Sequence, residues 1–168
     1  MSTPMNESTV ANLAGKYLAF TLGHESFALP VLQVREIIRF SSITPVPQMP
    51  SYFRGVINLR GKVIPIIDLR IKLGFDTATL AEGTCIFVVD ARLPDDRITR
   101  VGLVVDAVEE VLNLNAADID SPPNIGEMGS VDYILGLAKL KGTVKFLVDI
   151  DRIVTGDSSH FASALGHN

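Results

Sequence analysis

The sequence repeats itself approximately, and this internal duplication constrains the fold more than any other feature. Residues 34–38 (VREII) return as residues 108–112 (VEEVL), and a proline pair follows each copy. Further along, residues 55–69 match residues 136–150 at a constant offset of 81, and the match includes two glycines and an aspartate. These matched positions are Gly55, Gly61 and Asp68, which return as Gly136, Gly142 and Asp149. We interpret the pattern as two related halves, because chance produces paired valines more easily than paired glycines and aspartates.

The apolar residues fall in short runs that alternate with polar residues or are continuous, which is the pattern of strands. Glycine, proline, aspartate or serine bounds each run. Ten strands are predicted, at residues 16–22, 26–29, 34–39, 54–58, 62–67, 84–90, 99–106, 108–112, 135–140 and 143–149. Two short helices are predicted at 68–73 and 150–154, since an aspartate that can cap the first turn stands at the start of each.

Each predicted half would be only marginally stable alone, because a ~60-residue domain buries only ~60% of its unfolded surface. The two halves should therefore pack on each other. Five short antiparallel strands in an open sheet would expose their edges, whereas closure into a barrel removes most of that problem. We predict an all-β fold of two five-stranded barrels side by side, with a few short helices and a groove between the barrels where a partner element fits.

The predicted domain organisation is a single folded domain with two ends of different character. Residues 1–15 are rich in Ser, Thr and Asn and are predicted to be a mobile arm. Residues 16–156 form the domain, with two intertwined barrel subdomains drawn roughly from residues 16–75 and 84–156. Residues 157–168 are predicted to be a tail.

Composition excludes several partners. Lysine and arginine number 15 and aspartate and glutamate 19, so the formal charge is -4 and no basic block predicts nucleic-acid binding. The longest apolar runs, such as Ile86–Val89, fall far short of the ~20 residues that cross a bilayer. A single cysteine, Cys85, forms no intrachain disulfide, which fits a reducing compartment. We expect a cytoplasmic protein that does not insert into the membrane.

The sequence offers little for catalysis. One cysteine and three histidines, His24, His160 and His167, do not make a His/Cys metal cage. Residues 55–63 differ from a phosphate-binding P-loop, since five residues separate the glycines and Val63 replaces the Ser or Thr that holds magnesium. Four aspartates end strands, and these are predicted either to cap and turn the chain or to form a carboxylate cluster: Asp68, Asp90, Asp106 and Asp149. We predict no enzyme, no metal and no cofactor.

The most distinctive segment is residues 45–70, where two apolar strands flank Leu59-Arg60-Gly61-Lys62. Gly61 is available for a positive φ, so these four residues predict a tight hairpin that presents two neighbouring cations. This segment is similar to the CheW family of chemotaxis coupling proteins. The similarity continues through YLAFTLG at 17–23, VGLVVD at 101–106, VEEVL at 108–112 and Leu135-Gly136, and it covers roughly residues 16–154, with residues 55–69 as its most specific part.

The resemblance implies two five-stranded SH3-like barrels around a shared hydrophobic core. It also implies a non-catalytic adaptor, which joins the cytoplasmic tip of transmembrane chemoreceptors to the regulatory domain of the histidine kinase CheA in arrays at the inner face of the membrane. Two alternatives stay open. One is a CheW-like module of another receptor-kinase system, such as one for surface motility, and the other is a small hydrolase that uses the strand-end aspartates.

Family resemblance places receptor contacts at Val34, Glu36 and Arg60, along the groove between the barrels. A receptor helix in such a groove needs apolar anchors and rim charges. The expected receptor-binding residues are Val34, Glu36, Ile38, Ile43, Arg60 and Gly61. For Val34 and Ile38 the alternative is the barrel core, and for Glu36 and Arg60 it is a solvated charge.

Kinase contacts are expected at the barrel ends. Gly102 and Gly136 are the candidate kinase-binding residues, because a missing side chain allows a partner backbone to approach closely. A bulge or bend that the barrel itself requires explains the same two glycines, and this alternative also stays open.

Overall fold

The computed structural model describes residues 13–75, 83–121 and 133–156. These residues form eleven strands, two short α-helices and two single-turn 3-10 helices at Val31–Gln33 and Ala116–Asp118. The strands are β1 (Gly15–Leu22), β2 (Glu25–Pro30), β3 (Val34–Arg39), β4 (Phe53–Leu59), β5 (Lys62–Asp68), β6 (Cys85–Arg92), β7 (Ile98–Val105), β8 (Ala107–Leu114), β9 (Ile119–Asp120), β10 (Ile134–Leu140) and β11 (Thr143–Val148). The helices are α1 (Leu69–Lys72) and α2 (Ile150–Thr155).

All ten predicted strands and both predicted helices are present, with ends that agree within two residues. The sequence missed β9, which has two residues and therefore no readable alternation. Gly15 already belongs to β1, so the fold begins slightly before the predicted boundary. Residues 1–12 of the predicted arm and the predicted tail at 157–168 lie outside the described residues.

The structure contains two sheets with matching strand orders. One has the strand order β3-β6-β7-β5-β4 and forms what we call barrel 1, and the other has the order β8-β1-β2-β11-β10-β9 and forms barrel 2. Apart from β9, each strand of barrel 2 has a counterpart at the same place in barrel 1. Each sheet also contains one parallel contact, β5 with β7 and β11 with β2, between otherwise antiparallel neighbours. The repeat predicted from sequence is therefore a repeat of topology.

The two repeats exchange their first hairpins. The first repeat runs from β1 to β5, but its β1-β2 hairpin lies in barrel 2. The second repeat runs from β6 to β11, and its β6-β7 hairpin lies in barrel 1. Each barrel thus takes two strands from the other repeat.

The core has three parts, which follow from this exchange. One apolar cluster fills each barrel, and a larger third cluster lies between the barrels. In β1, Tyr17 and Ala19 face the interior of barrel 2 whereas Phe20 faces the cluster between the barrels. Phe20 of β1 packs edge-on against Phe87 of β6 with ring centroids 5.4 Å apart. The strands of the exchanged hairpins are buried on both faces, so the predicted shared core is confirmed.

Matching turns close the two C-terminal hairpins of the repeats. Arg60 and Gly61 have φ of 53° and 85°, and Lys141 and Gly142 have φ of 51° and 80°. Two successive positive φ values in a two-residue loop define the type I′ turn, which suits the twist of paired strands. The Asn58 side chain also accepts a hydrogen bond from the Gly61 N–H at 2.9 Å. The predicted tight hairpin is confirmed, and its counterpart occurs 81 residues later.

Candidate interaction surfaces

Glu36 and Arg60 contact each other on the surface of barrel 1. Arg60 Nη2 pairs with Glu36 Oε2, and Arg60 Nη1 lies 3.4 Å from Glu36 Oε1. The hydrogen bond to Glu36 raises the pKa of the Arg60 guanidinium, while the Arg60 side chain stays 71% exposed. The sequence predicted that each charge would face an opposite charge on a receptor helix. The structure shows that the two predicted charges already form a pair between β3 and the tip of the β4-β5 hairpin.

The apolar residues predicted for the receptor groove divide into two places. Val34 is half-buried and packs against the cluster between the barrels. Ile38 and Ile43 are also half-buried, but they pack against the interior cluster of barrel 1. Val34 therefore lies at the seam between the barrels, whereas Ile38 and Ile43 contribute much of their apolar surface to one barrel.

Two exposed apolar residues beside these positions were missed by the sequence analysis. Leu32, in the 3-10 turn that precedes β3, is 93% exposed, and Ile37 of β3 is also exposed. Isolated exposed apolar side chains are ordinary, but here two occur within six residues of chain next to Glu36. The strand pattern gave no indication of Leu32, because a 3-10 turn has no alternation.

Gly102 and Gly136 are both buried, and their own barrels occupy the space of the missing side chains. A Cβ on Gly102 would lie 2.5 Å from Ile66 Cδ1, inside barrel 1. A Cβ on Gly136 would lie 2.9 Å from the Asp120 carbonyl oxygen, next to the bulge between β10 and β11. Of the two roles left open for these glycines, the geometry supports the one in which the barrel needs them.

The strand-end aspartates fall into three separate groups of contacts. Asp68 accepts a hydrogen bond from the Arg70 N–H, and Asp149 accepts one from the Arg152 N–H, so both cap helices as predicted. Asp90 pairs with Arg35 and Arg100. Within the three described stretches of chain, no three His, Cys, Asp or Glu side chains are grouped closely enough to hold a metal ion.

Arg70 joins two of these aspartates in a buried network. Its guanidinium donates to Asp68 at 2.9 and 2.8 Å and to Asp106 Oδ1 at 3.0 Å. Asp106 Oδ2 accepts the Gly23 N–H at 2.7 Å, and Gly23 lies in the β1-β2 turn of barrel 2. The hydrogen bond to Asp68 raises the pKa of Arg70, which therefore stays charged. This network, which we call the Arg70 clasp, ties α1 to the hairpin that the first repeat gives to barrel 2.

The second repeat has a simpler version of the same contact. Asp151 in α2 accepts a hydrogen bond from the Arg92 N–H at 2.8 Å, at the end of β6. This contact joins α2, the last helix of the second repeat, to the β6-β7 hairpin, which the second repeat contributes to barrel 1. It is exposed, unlike the Arg70 clasp. The Arg70 clasp and the Asp151–Arg92 contact are therefore equivalent in topology, but they differ in burial.

This combination of features defines a class of protein: a module of two packed β-barrels with exposed charged and apolar side chains on its surface. None of the helices in the described stretches is long and apolar enough to cross a membrane. The family model described as the CheW-like domain matches residues 16–158, and the chain belongs to this family.

Relatives support the same assignment over nearly the whole chain. A chemotaxis protein CheW of Klebsiella aerogenes is 35% identical over 155 residues, covering 89% of this chain and 90% of the relative. A chemotaxis protein CheW of Rhizobium meliloti is 33% identical, covering 91% and 96%. The crystal structure of the scaffolding protein TtCheW from Thermoanaerobacter tengcongensis superposes with a TM-score of 0.73 at 28% identity, covering 87% of this chain and 96% of that one. The predicted pair of SH3-like barrels is confirmed.

Proposed function

We propose that this chain is the adaptor that couples chemoreceptors to the histidine kinase CheA in bacterial chemotaxis. The observation that carries the proposal is the match to the CheW-like domain across residues 16–158, which spans both barrels and the seam between them. The adaptor acts without catalysis, cofactor or metal, in the cytoplasm beside receptor arrays at the inner face of the membrane. Its effect on the kinase comes from holding two partners together, which raises their effective concentration.

The receptor surface in this proposal centres on the Glu36–Arg60 pair. A helical hairpin from the receptor tip lies along the seam, with Val34 as an apolar anchor and Ile38 and Ile43 supporting the wall behind it. Arg60 and Gly61 form the turn that brings the guanidinium to Glu36. Because Arg60 is exposed and already paired, it contributes at the rim, where charges set orientation and association rate more than affinity.

The kinase surface in this proposal lies at the ends of the barrels, where the regulatory domain of CheA presents a related module. Gly102 and Gly136 support this surface indirectly, by allowing each barrel to keep its shape. Neighbouring side chains and backbone already fill the space beside them. Leu32 and Ile37 are the exposed apolar groups nearest in sequence to the receptor surface.

Arg60→Ala tests the receptor surface, and Lys141→Ala is its matched control, because Lys141 holds the equivalent place in the second type I′ turn. We expect Arg60→Ala to weaken binding of a receptor cytoplasmic fragment by about fivefold, as for a rim contact, while Lys141→Ala leaves it unchanged. Calorimetric titration measures both. Equal affinities for the two variants would remove Arg60 from the receptor surface.

Co-sedimentation tests the whole proposal. Receptor fragment and CheA are pelleted with and without this chain, and kinase autophosphorylation is measured in the pellet. An adaptor raises both the amount of kinase in the pellet and its activity. If neither rises, the coupling function is wrong. A module of another receptor-kinase system would instead act only with the receptor and kinase of that system.

A further inference from the structure

A cleft of about 390 Å³ lies between the first halves of β5 and β7. Its walls are residues 62–65 of β5 and residues 98–100 of β7, with Asp90 beside them. The parallel pairing of these strands begins only at Ile66 with Gly102 and runs to Asp68 with Val104. Before that point β5 pairs with β4 and β7 pairs with β6, so within the described residues each strand has one edge facing the cleft.

Pro65 explains why the two strands separate where they do. Its partner on β4 is Val56, whose N–H and C=O both bond to Thr44 on the side away from β5. In an antiparallel pair of this kind both residues direct their backbone groups away from each other, so the backbone of Pro65 faces β7. Proline has no N–H to donate there. The parallel ladder therefore ends at Pro65, and the strands diverge.

Barrel 2 provides the matched comparison. Phe146 occupies the position equivalent to Pro65, and it has an N–H. There the parallel ladder includes this position, since Phe146 pairs with Phe27 and Leu147 with Ala28. Pro65 is thus a residue beside the cleft at which the two repeats differ in backbone hydrogen-bonding capacity.

The rim of the cleft is apolar and cationic. Val63 and Ile98 are 68% and 63% exposed and stand on opposite walls. By strand alternation Val63 shares a face with Ile67 of the cluster between the barrels, whereas Ile98 and Arg100 share a face with Val104, inside barrel 1.

Lys62 and Arg100 line the cleft, and Arg35 joins Arg100 on the single carboxylate of Asp90, at 3.3 and 3.1 Å. The cleft and its rim thus carry three cations and one carboxylate, two of the cations paired with that carboxylate, and this excess of positive charge complements an anionic partner.

We propose that this cleft is a docking site for a short extended peptide segment that carries an apolar residue next to acidic ones. The free strand edges supply backbone hydrogen bonds, as in recognition by strand addition. The apolar residue contacts Val63 on one face of the added strand, and the acidic residues face Lys62 and Arg100 on the other face. A cleft of this volume is at the lower end of the ~300–1,000 Å³ typical of ligand sites and accepts only a short segment. The site goes beyond the proposed receptor and kinase contacts, and it borders the receptor surface, because Lys62 follows Gly61 and Arg35 lies between Val34 and Glu36.

Selection from a library of displayed random heptapeptides tests the proposal on the full chain. We expect the enriched peptides to alternate apolar with Asp or Glu residues and to shift the amide NMR signals of Val63, Ile64, Thr99 and Arg100. Val63→Asp should weaken their binding by at least about tenfold, because it places a carboxylate on the apolar wall. Raising the salt concentration should weaken binding as well, since the rim charges are exposed.

Val144→Asp is the control, because Val144 is the equivalent exposed residue of barrel 2, at 45% exposure. Both substitutions are at exposed sites, and thermal melts should show equal folding. The proposal is overturned if no peptide is enriched, if the enriched peptides lack acidic residues, or if Val63→Asp and Val144→Asp bind them equally well.

Discussion

The Arg70 side chain is only 1% exposed, and its guanidinium pairs with Asp68 and with Asp106, two carboxylates that are far apart in the sequence. Replacing Arg70 by Met leaves Asp68 fully buried with its main partner removed, although Arg54 lies 3.8 Å away. Breaking a buried pair from one side costs about 3–5 kcal/mol. We therefore expect Arg70→Met to lower the free energy of unfolding by about that amount in a urea titration.

Arg152→Met is the matched variant for this prediction. Arg152 follows the second capping aspartate and lies 3.6 Å from Asp149, but it is mostly exposed. An exposed ion pair is worth about 0–1 kcal/mol, so this variant should unfold almost as the parent does. Similar losses for the two arginines would show that burial of the Arg70 clasp adds no stability.

Cys85 is buried at the start of β6, and burial raises the pKa of its thiol. A raised pKa leaves less thiolate at a given pH, and the thiolate is the reactive form. Alkylation by iodoacetamide at pH 8 should therefore be at least about tenfold slower in the folded chain than in urea. Mass spectrometry over time measures the two rates. Equal rates would mean that β6 opens readily at its first residue.

Two glycines of the β4-β5 hairpin, Gly55 and Gly61, are needed for different physical reasons. Gly61 has a positive φ but open space around its missing side chain, so Gly61→Ala should cost about 1–2 kcal/mol from backbone conformation alone. Gly55 also has a positive φ, and in addition a Cβ there would collide with the backbone of Thr44. Gly55→Ala should therefore lose clearly more stability in the same denaturant titration. Equal losses would show that the 44–45 backbone moves aside.

Strands were predictable from sequence where both faces or one face of a strand are buried, since burial imposes runs or alternation of apolar residues. The exchanged hairpins are the clearest case, because burial on both faces makes them continuously apolar. Which apolar residues of β3 face outward was not predictable. A bulge between Val34 and Glu36 shifts the register there, and bulges leave no reliable mark in a single sequence.

The candidate site was predictable only as a set of residue types at a hairpin. Glu36 and Arg60 were each predicted to face a partner, but their mutual pairing joins residues 24 apart in sequence. That contact depends on how β3 and the hairpin tip meet in barrel 1. The cleft at Pro65 was missed for the same reason, because it needs the direction of the Pro65 backbone and the parallel neighbour β7.

At the scale of the whole molecule, the exchange of hairpins predicts that neither half folds alone. Residues 1–80 contain β1 to β5 but lack the β6-β7 hairpin of barrel 1, and residues 81–168 lack the β1-β2 hairpin of barrel 2. We expect each fragment to show no cooperative thermal transition by circular dichroism. An equimolar mixture should regain one, because the two fragments complete both barrels. A cooperative transition in either fragment alone would contradict this.

The same exchange has a mechanical consequence. Within the described residues the chain crosses between the barrels at two short connections, from β2 to β3 through the 3-10 turn Val31–Gln33 and from β7 to β8 through Asp106, and the largest apolar cluster lies between the barrels. A load applied to one barrel is therefore carried along covalent backbone into the other, with little slack. We therefore expect the two barrels to move as one rigid body, so that a displacement imposed at one barrel by a bound protein reaches a protein bound at the other.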